Sequence, residues 1–159
     1  MSAPVPRLSL AEKIASSRPG AWYFVHVTSK IDPWLLKRSG GRFSSVPGSQ
    51  ILLVQHVGAR SGAARETALV YATDGDDIIL VASAGGSTKH PAWYHNLVAH
   101  PECHVIAKGR TGDYVARELD GDEYDRMWEA AVAVYGGYAV YQQRTQGRRI
   151  PLLRLTPAA

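Results

Sequence analysis

Three groups of side chains in this sequence have the types and spacing to do chemistry. The first is Gly58-Ala59-Arg60-Ser61-Gly62, with Arg65 close behind. Glycines in a tight turn let backbone N–H groups approach an anion, Ser61 adds a hydroxyl, and Arg60 and Arg65 supply charge-assisted bonds to phosphate or carboxylate. The pattern suits an oxyanion cradle; the plainer alternative is a glycine-containing hairpin with two solvated arginines. It has the glycine pattern of neither a P-loop nor a dinucleotide fingerprint. The second group is Ala82-Ser83-Ala84-Gly85-Gly86, followed by Trp93, Tyr94 and Asn96. Small residues where a strand ends let a flat ring lie against the backbone, whose polar groups can then bond the ring edges. Trp93 is placed to wall such a pocket and Asn96 to donate or accept; the alternative is a Gly-Gly turn leading into a helix with core aromatics. The third is Tyr135, Tyr138 and Tyr141. At this spacing on a helix the phenols form one drifting stripe, and they serve as neutral donors at pH 7. Such a stripe is commonly core, yet Gly136 and Gly137 interrupt it at about 1 kcal/mol each relative to Ala, which weakens a purely structural reason for the segment.

Other chemistry finds no support. Six histidines are present, but His90 and His100 each precede a proline at an expected helix boundary, and no HExxH or carboxylate–histidine cluster accompanies them, so no metal site is expected. There is no GxSxG elbow, and Cys103 falls in a strand without a partner for nucleophilic work.

Positioning these groups requires an α+β frame. Leu8 to Ser17 has helical composition and stops before Arg18-Pro19-Gly20, and Asp32-Pro33 reads as the N-cap and first residue of a short helix through Lys37. From Gln50 onward, five β-rich runs (50–57, 64–73, 78–84, 104–108 and 113–119) are separated by turn residues, and a sixth covers 150–155. The connectors GARSG, DGDD and GRTG are short enough for hairpins, which implies antiparallel pairing. His90-Pro91 and His100-Pro101 bracket a crossover helix over Ala92 to Ala99. Asp120, Asp122 and Glu123 start another, whose apolar positions Met127, Trp128, Ala131, Val132 and Tyr135 keep helical periodicity. The expected architecture is a small barrel of about six mostly antiparallel strands with flanking helices, one domain over residues 1–159, in which a helical segment (1–40) precedes the barrel core (41–159).

The chain has 159 residues with formal charge +4, the size of one soluble domain. Its charge is segregated: +7 over residues 1–65, −7 over 66–129 and +4 over the rest. The basic front carries the apolar stretch Ala21 to Val27, which suits an anionic ligand or a membrane surface. Duplex nucleic acid is disfavoured, because no recognition-helix or finger signature is present. One cysteine excludes an internal disulfide and points to a reducing compartment. No apolar run approaches the about 20 residues of a membrane span, and Met1 to Gly20 lacks a signal-peptide core, so a cytoplasmic location is expected.

With GxRSGxxR, ASxGG and PxWYxNL in this order, the sequence resembles the deazaflavin (F420)-dependent nitroreductase and quinone reductase family of actinobacteria, from about Ile31 to Leu155. Trp34-Leu35-Leu36-Lys37-Arg38 and Arg149-Ile150-Pro151 also carry the likeness. The resemblance implies a split β-barrel like that of pyridoxamine-phosphate-oxidase-like flavin proteins, and coenzyme F420 as cofactor. It assigns Arg60, Ser61, Gly62 and Arg65 to the coenzyme's phosphate and oligoglutamate tail. Ala68, Leu69, Ala82, Ser83, Ala84, Trp93 and Asn96 would line the deazaflavin ring, and Tyr135, Tyr138 and Tyr141, with Ser83, would face the acceptor. The implied reaction is hydride transfer to a quinone or nitroaromatic, with Tyr138 bonding or protonating the acceptor oxygen. By the same analogy the basic N-terminal segment lies on an anionic membrane surface; capping of the barrel is the alternative. The pattern departs at Ala59 and Ala84, where some relatives are basic, and at Val70, where some are aromatic, with consequences for tail affinity and acceptor choice. Two other readings are a non-catalytic F420-binding protein and a flavin- or haem-binding split-barrel oxidoreductase.

Overall fold

A computed structural model of the chain describes residues 7–46 and 48–159. Its centre is a closed barrel of six strands: β1 (Ile51–Val57), β2 (Ala64–Asp74), β3 (Asp77–Val81), β4 (Glu102–Ile106), β5 (Gly112–Glu118) and β6 (Leu152–Pro157). The order round the barrel is β1-β2-β3-β6-β5-β4, with β4 closing on β1 and every pair antiparallel. The expected split barrel is therefore present. The three hairpin connectors do the turning anticipated of them, as in the pairings Val57 with Ala64 and Asp74 with Asp77.

Strand alternation sorts the side chains into layers. Leu52 and Val54, Ile78 and Leu80, and Leu153 and Leu155 point inward and fill the barrel with Cys103, Val105 and Tyr114. Their neighbours point outward and are covered by helices. Leu36 of α3 (Ser29–Ser39) seals Ile51 and Leu53. The pair α5 (Gly121–Val134) and α6 (Gly137–Arg144) seals Ala72, Ile79, Val81 and Leu152. Both faces of β1 and β3 are thus buried, which explains their unbroken apolar runs.

A charged network fixes α5 on the barrel. Arg117 and Arg154 are register partners on β5 and β6, an unfavourable like-charge juxtaposition. Glu123, in the first turn of α5, resolves it: both its oxygens take the Arg117 fork at 2.9 and 2.6 Å, and Oε1 lies 2.9 Å from Arg154 Nε. Asp74 and Asp77, at the β2–β3 turn, take the remaining Arg154 nitrogens at 2.7 and 2.5 Å. Arg117 holds the Glu123 carboxyl below its ordinary range.

The helical front follows expectation at its first stop and departs from it beyond. As expected, α1 (Leu10–Ser16) ends before Arg18-Pro19-Gly20, with Ser17 at its C-terminus, but Pro19 then sits in the first turn of an unexpected helix, α2 (Arg18–Tyr23). A Cβ on Gly20 would run into the Ile14 carbonyl, so glycine is what lets the two helices meet. Beyond α2, a π-helical turn (Phe24–Thr28) leads straight into α3, placing Pro33 inside the helix and removing Asp32 from the cap position. Asp32 is buried, and its Oδ1 accepts the Ser45 N–H at 2.6 Å, a contact across thirteen residues that local sequence does not announce. Residues 1–6 of the predicted N-terminal segment lie outside the described residues.

Candidate functional site

Because β1 and β3 run in the same direction on either side of β2, the loops that follow them leave from the same end of the barrel. The first and second sequence groups are those loops. The helix α4 (Ala92–Ala99) holds both, bounded by the two His-Pro pairs as expected.

The β1–β2 loop keeps most of its backbone donors for itself. Gly58 N–H bonds Ala63 O at 2.8 Å, Gly62 N–H bonds Gly58 O at 2.9 Å, and Ala63 N–H bonds Ser61 Oγ at 3.2 Å. The glycines therefore shape the turn, with Gly62 at φ 66°, instead of pointing their N–H groups at a ligand. Among the described residues, the Arg60 and Ser61 N–H groups make no hydrogen bond, and neither the Arg60 nor the Arg65 guanidinium has a hydrogen bond or ion pair. Both side chains are exposed. The cradle thus offers two backbone donors and two uncompensated cations.

Asn96 sets the position of that loop. Its Oδ1 accepts the Ala59 N–H at 2.8 Å, and its Nδ2 lies 3.2 Å from His56 Nδ1. The other ring nitrogen of His56 is 3.0 Å from Thr67 Oγ1. These contacts assign a neutral imidazole, with Nδ1 accepting from Asn96 and Nε2–H donating to Thr67. Burial, and then Arg65, push the His56 pKa down, consistent with that state. Asn96 thus ties α4 to the hairpin, with its amide oxygen and nitrogen both engaged by β1 and the loop that follows it.

The β3 loop turns at Ser83 through three residues with positive φ: Ala84 at 47°, Gly85 at 64° and Gly86 at 84°. For Ala84 this is the left-handed region, at a cost of order 1–2 kcal/mol. The strand consequently ends at Val81, three residues earlier than the apolar run suggests. Among the described residues, the N–H groups of Ser83, Ala84 and Gly85 and the Ser83 hydroxyl make no hydrogen bond. A Cβ on Gly86 would stand 2.8 Å from Arg144 Cβ and 2.9 Å from Tyr141 O, so this glycine permits the loop to lie directly on α6.

Arg148 holds the loop in place and was not among the expected residues. Its Nη2 donates to Ser83 O at 2.9 Å and Ser87 O at 2.8 Å. Its Nη1 donates to Ala82 O at 3.2 Å and His90 Nδ1 at 3.0 Å, and its Nε to Ser87 O at 3.0 Å. Only Arg carries enough donors in a fixed fork to serve three carbonyls and an imidazole at once. The next residues do similar work: Pro151 O accepts the Ala82 N–H at 2.9 Å, and Arg149 stacks 3.6 Å over the Tyr124 ring. The Arg-Arg-Ile-Pro sequence was the available signal, but nothing local says which arginine faces inward.

The phenols meet, but on a corner rather than on one helix. Tyr135 caps the C-terminus of α5, and its ring folds over Gly137 at the start of α6, which carries Tyr138 and Tyr141. The Tyr135 and Tyr141 hydroxyls are 3.1 Å apart, and Tyr141 Oη also donates to Ala15 O at 3.4 Å. Glu12 Oε1 accepts the Gly136 N–H at 3.1 Å, so α1 lies over the cluster. The stripe is thus packed beneath α1 and not spread along an open wall. Of the three, Tyr138 alone has a hydroxyl with no hydrogen bond among the described residues. Burial raises the pKa of all three, keeping them protonated donors.

The remaining expected ring contacts divide by layer. Ala82 and Trp93 are buried in the barrel core, where Trp93 plugs the barrel end beside Leu97. Leu69 packs toward that core and Ala68 toward α3 on the other face of β2. Tyr94 donates to Glu118 Oε2 at 2.8 Å, tying α4 to β5, and burial with this carboxylate pushes its phenol up to about 12. Cys103 is buried, its thiol pushed up to about 12 by burial, which leaves it unreactive at neutral pH.

Comparison with known proteins gives a consistent picture. A family model described as F420H(2)-dependent quinone reductase matches residues 29–157. An F420H(2)-dependent quinone reductase of Mycobacterium tuberculosis is 36% identical over 122 residues, covering 75% of this chain and 80% of that protein. The solved structure of an F420-H2 dependent reductase superposes with a TM-score of 0.62 at 38% identity, over 67% of this chain and 94% of that one. A haem storage protein of Vibrio cholerae, 15% identical with a TM-score of 0.53 over 81% of this chain and 91% of that one, shares the fold.

Proposed function

This chain belongs to the F420H(2)-dependent quinone reductase family, and from that premise we propose how its barrel end divides the work. It is an F420-dependent oxidoreductase of the quinone reductase type. The observation that carries the assignment of roles is the loop after β1: two unpaired guanidinia and two unbonded N–H groups, held rigidly by Asn96, at the same barrel end as the Ser83 loop. That donor set fits a phosphorylated, carboxylate-bearing tail. Arg60, Ser61, Gly62 and Arg65 bind the tail. Ala68, Leu69, Ser83 and Ala84 border the ring, where small side chains and the unbonded N–H groups of 83–85 suit a flat heterocycle, while Ala82, buried in the core with its N–H and C=O both engaged, supports the loop from beneath. Trp93 and Asn96 support that surface from α4.

When bound, the reduced coenzyme supplies the hydride. The protein holds acceptor and coenzyme in line and polarises the acceptor oxygen. Tyr138, whose hydroxyl is not spent within the cluster, gives that oxygen its hydrogen bond, with Ser83 Oγ as second donor. Tyr135 and Tyr141 hold one another and fix the Tyr138 ring edge-on, its centroid 5.0 Å from that of Tyr135.

The test is a fluorescence titration of the protein with oxidised F420, run beside FMN. Saturation by the deazaflavin alone, lost in Arg60→Ala/Arg65→Ala, is the expected result, and turnover of menadione or a nitroaromatic then separates a reductase from a mere binder. A preference for FMN, or an unaltered affinity in the double variant, would overturn the assignment of roles.

A second observation favours contact with a membrane surface. Large exposed apolar residues concentrate in the helical front, among them Leu10, Ile14, Trp22, Tyr23, Trp34 and Phe43, interleaved with Lys13, Lys30, Lys37, Arg38 and Arg42. No helix among the described residues is long and apolar enough to cross a membrane. Apolar anchors with basic neighbours describe a segment lying on an anionic surface. Co-sedimentation with vesicles containing phosphatidylserine, and none with pure phosphatidylcholine, is expected; equal partition to both would remove the electrostatic part of the reading.

A further inference from the structure

One cavity at this end of the molecule adjoins the Ser83 loop, shares Ala84 and Gly85 with the proposed ring surface, and is otherwise lined by residues given no role above. It is an open cleft of about 410 Å3 between the α2–π segment and the turn 84–87, closed at one side by α6. Arg18 and Arg144 both line it, and among the described residues no carboxylate does. Neither guanidinium forms an ion pair or hydrogen bond among the described residues; Arg144 rests over the Tyr141 ring, 5.8 Å from its centroid. Two cations facing one cleft repel each other, an arrangement a ligand of negative charge relieves.

The walls specify more than charge. Trp22 stacks on His26 with centroids 4.8 Å apart and planes 18° from parallel, forming a flat aromatic side. His26 Nδ1 is 3.0 Å from Trp22 O, which assigns the proton to that nitrogen and leaves Nε2 for other partners. The opposite side is backbone: at Ala84 and Gly85 the positive φ and small side chains leave unbonded N–H groups beside the cleft. A flat aromatic side, bare backbone and two cations together fit a planar ring bearing a negative oxygen.

Resting on the quinone reductase reading, we propose that this cavity seats the acceptor quinone and binds it most tightly as an anion. A neutral quinone becomes one during the reaction: on accepting a hydride, its electron pair and hydrogen, the ring is the hydroquinone monoanion, and a proton from water completes the hydroquinone. Arg18 and Arg144 add their charge to the hydrogen bonds that Tyr138 and Ser83 give the same acceptor oxygen, Arg144 resting on Tyr141 next to Tyr138 and Ser83 directly preceding the Ala84 wall, while Trp22 lies against the ring. The coenzyme's own anionic tail is provided for elsewhere, at Arg60 and Arg65, so the two cationic sites serve different molecules.

The experiment is calorimetry on the protein without coenzyme, using 2-hydroxy-1,4-naphthoquinone, an anion at neutral pH, against neutral 1,4-naphthoquinone. The anion binds about tenfold more tightly or better. Arg18→Gln and Arg144→Gln each reduce the anion's affinity about three- to fivefold while leaving the neutral ring within about twofold, as expected for partly screened charges. Arg18→Lys, at an exposed position, keeps most of the preference and guards against a folding artefact. Equal binding of the two quinones, or an anion affinity unmoved by Arg18→Gln, would overturn the proposal, as would displacement of the anion by oxidised F420 or inorganic phosphate, which would give the cavity to the tail. F420 titration of the same samples is read separately: loss of F420 binding in the unaltered protein defeats the family-based roles, whereas the quinone comparison defeats only this seat.

Discussion

Arg148 is the side chain on which the Ser83 loop depends. Replacing it with Met removes five donor contacts, to Ala82, Ser83 and Ser87 carbonyls and to His90. An intramolecular hydrogen bond contributes about 0.5–1.5 kcal/mol net, more where the donor is charged. Arg148 is only half-buried, and water takes over part of what is lost, so the low end applies to each contact and the total is about 2 kcal/mol. In a chain of this size that lowers Tm by roughly 4–8 °C. If the whole loss falls on the 82–90 segment, F420 affinity drops by up to about 25-fold, since 1.4 kcal/mol is about tenfold. Arg148→Lys keeps the charge but cannot reach three carbonyls from one nitrogen, so it recovers less than half of the deficit. The assays are thermal unfolding, F420 titration and amide exchange at Ser83 to Ser87. Unchanged exchange protection at those amides together with wild-type F420 affinity in Arg148→Met would refute the reasoning, because the loop would then hold its shape without the fork.

Gly86→Ala places a methyl against Arg144 Cβ and the Tyr141 backbone at φ 84°, whereas at Gly85 the nearest atom is 3.6 Å away. Strain plus a backbone clash should cost about 2–4 kcal/mol at the first and about 1 at the second, read as a larger Tm loss for Gly86→Ala. Tyr138→Phe should fold normally and lose roughly 10- to 100-fold in kcat for a quinone with F420 affinity retained, checked by steady-state kinetics. Both His56 and His90 have pKa values lowered in the folded state, mainly by burial. Each therefore contributes stability that is present above the unfolded value of about 6.5 and is lost as pH falls toward the lowered folded value. Chemical denaturation from pH 7 to about pH 5 should show the decline, with a shallower slope in His56→Gln.

What could be read from the sequence follows the range of the interactions. The hairpins were legible because GARSG, DGDD and GRTG act locally, and α4 because the two His-Pro pairs bound it to the residue. The misreadings come from contacts between distant segments. Pro33 lies inside a helix because the π turn feeds α3 and Asp32 is engaged by Ser45. The tyrosines cluster across a break that the glycines at 136 and 137 create. Arg148 acts on residues 58 to 66 positions away, and Asn96 on Ala59, pairings that no periodicity encodes.

The placement of β6 between β3 and β5 has a consequence for assembly. Residues 82–151 separate the two strands of this pairing along the chain, so it is one of the latest contacts a growing chain can form. Ala82 receives its carbonyl partner from Pro151, and the Ser83 loop its clasp from Arg148, both at the threshold of β6. The Ser83 loop therefore takes its final shape only when the segment carrying β6 joins the barrel. Before that, β3 and β5 present unpaired strand edges to other nascent chains. Ligand binding is then a reporter of finished folding in this protein, and slow synthesis or damage near residues 148–157 should cost soluble yield before it costs catalytic quality.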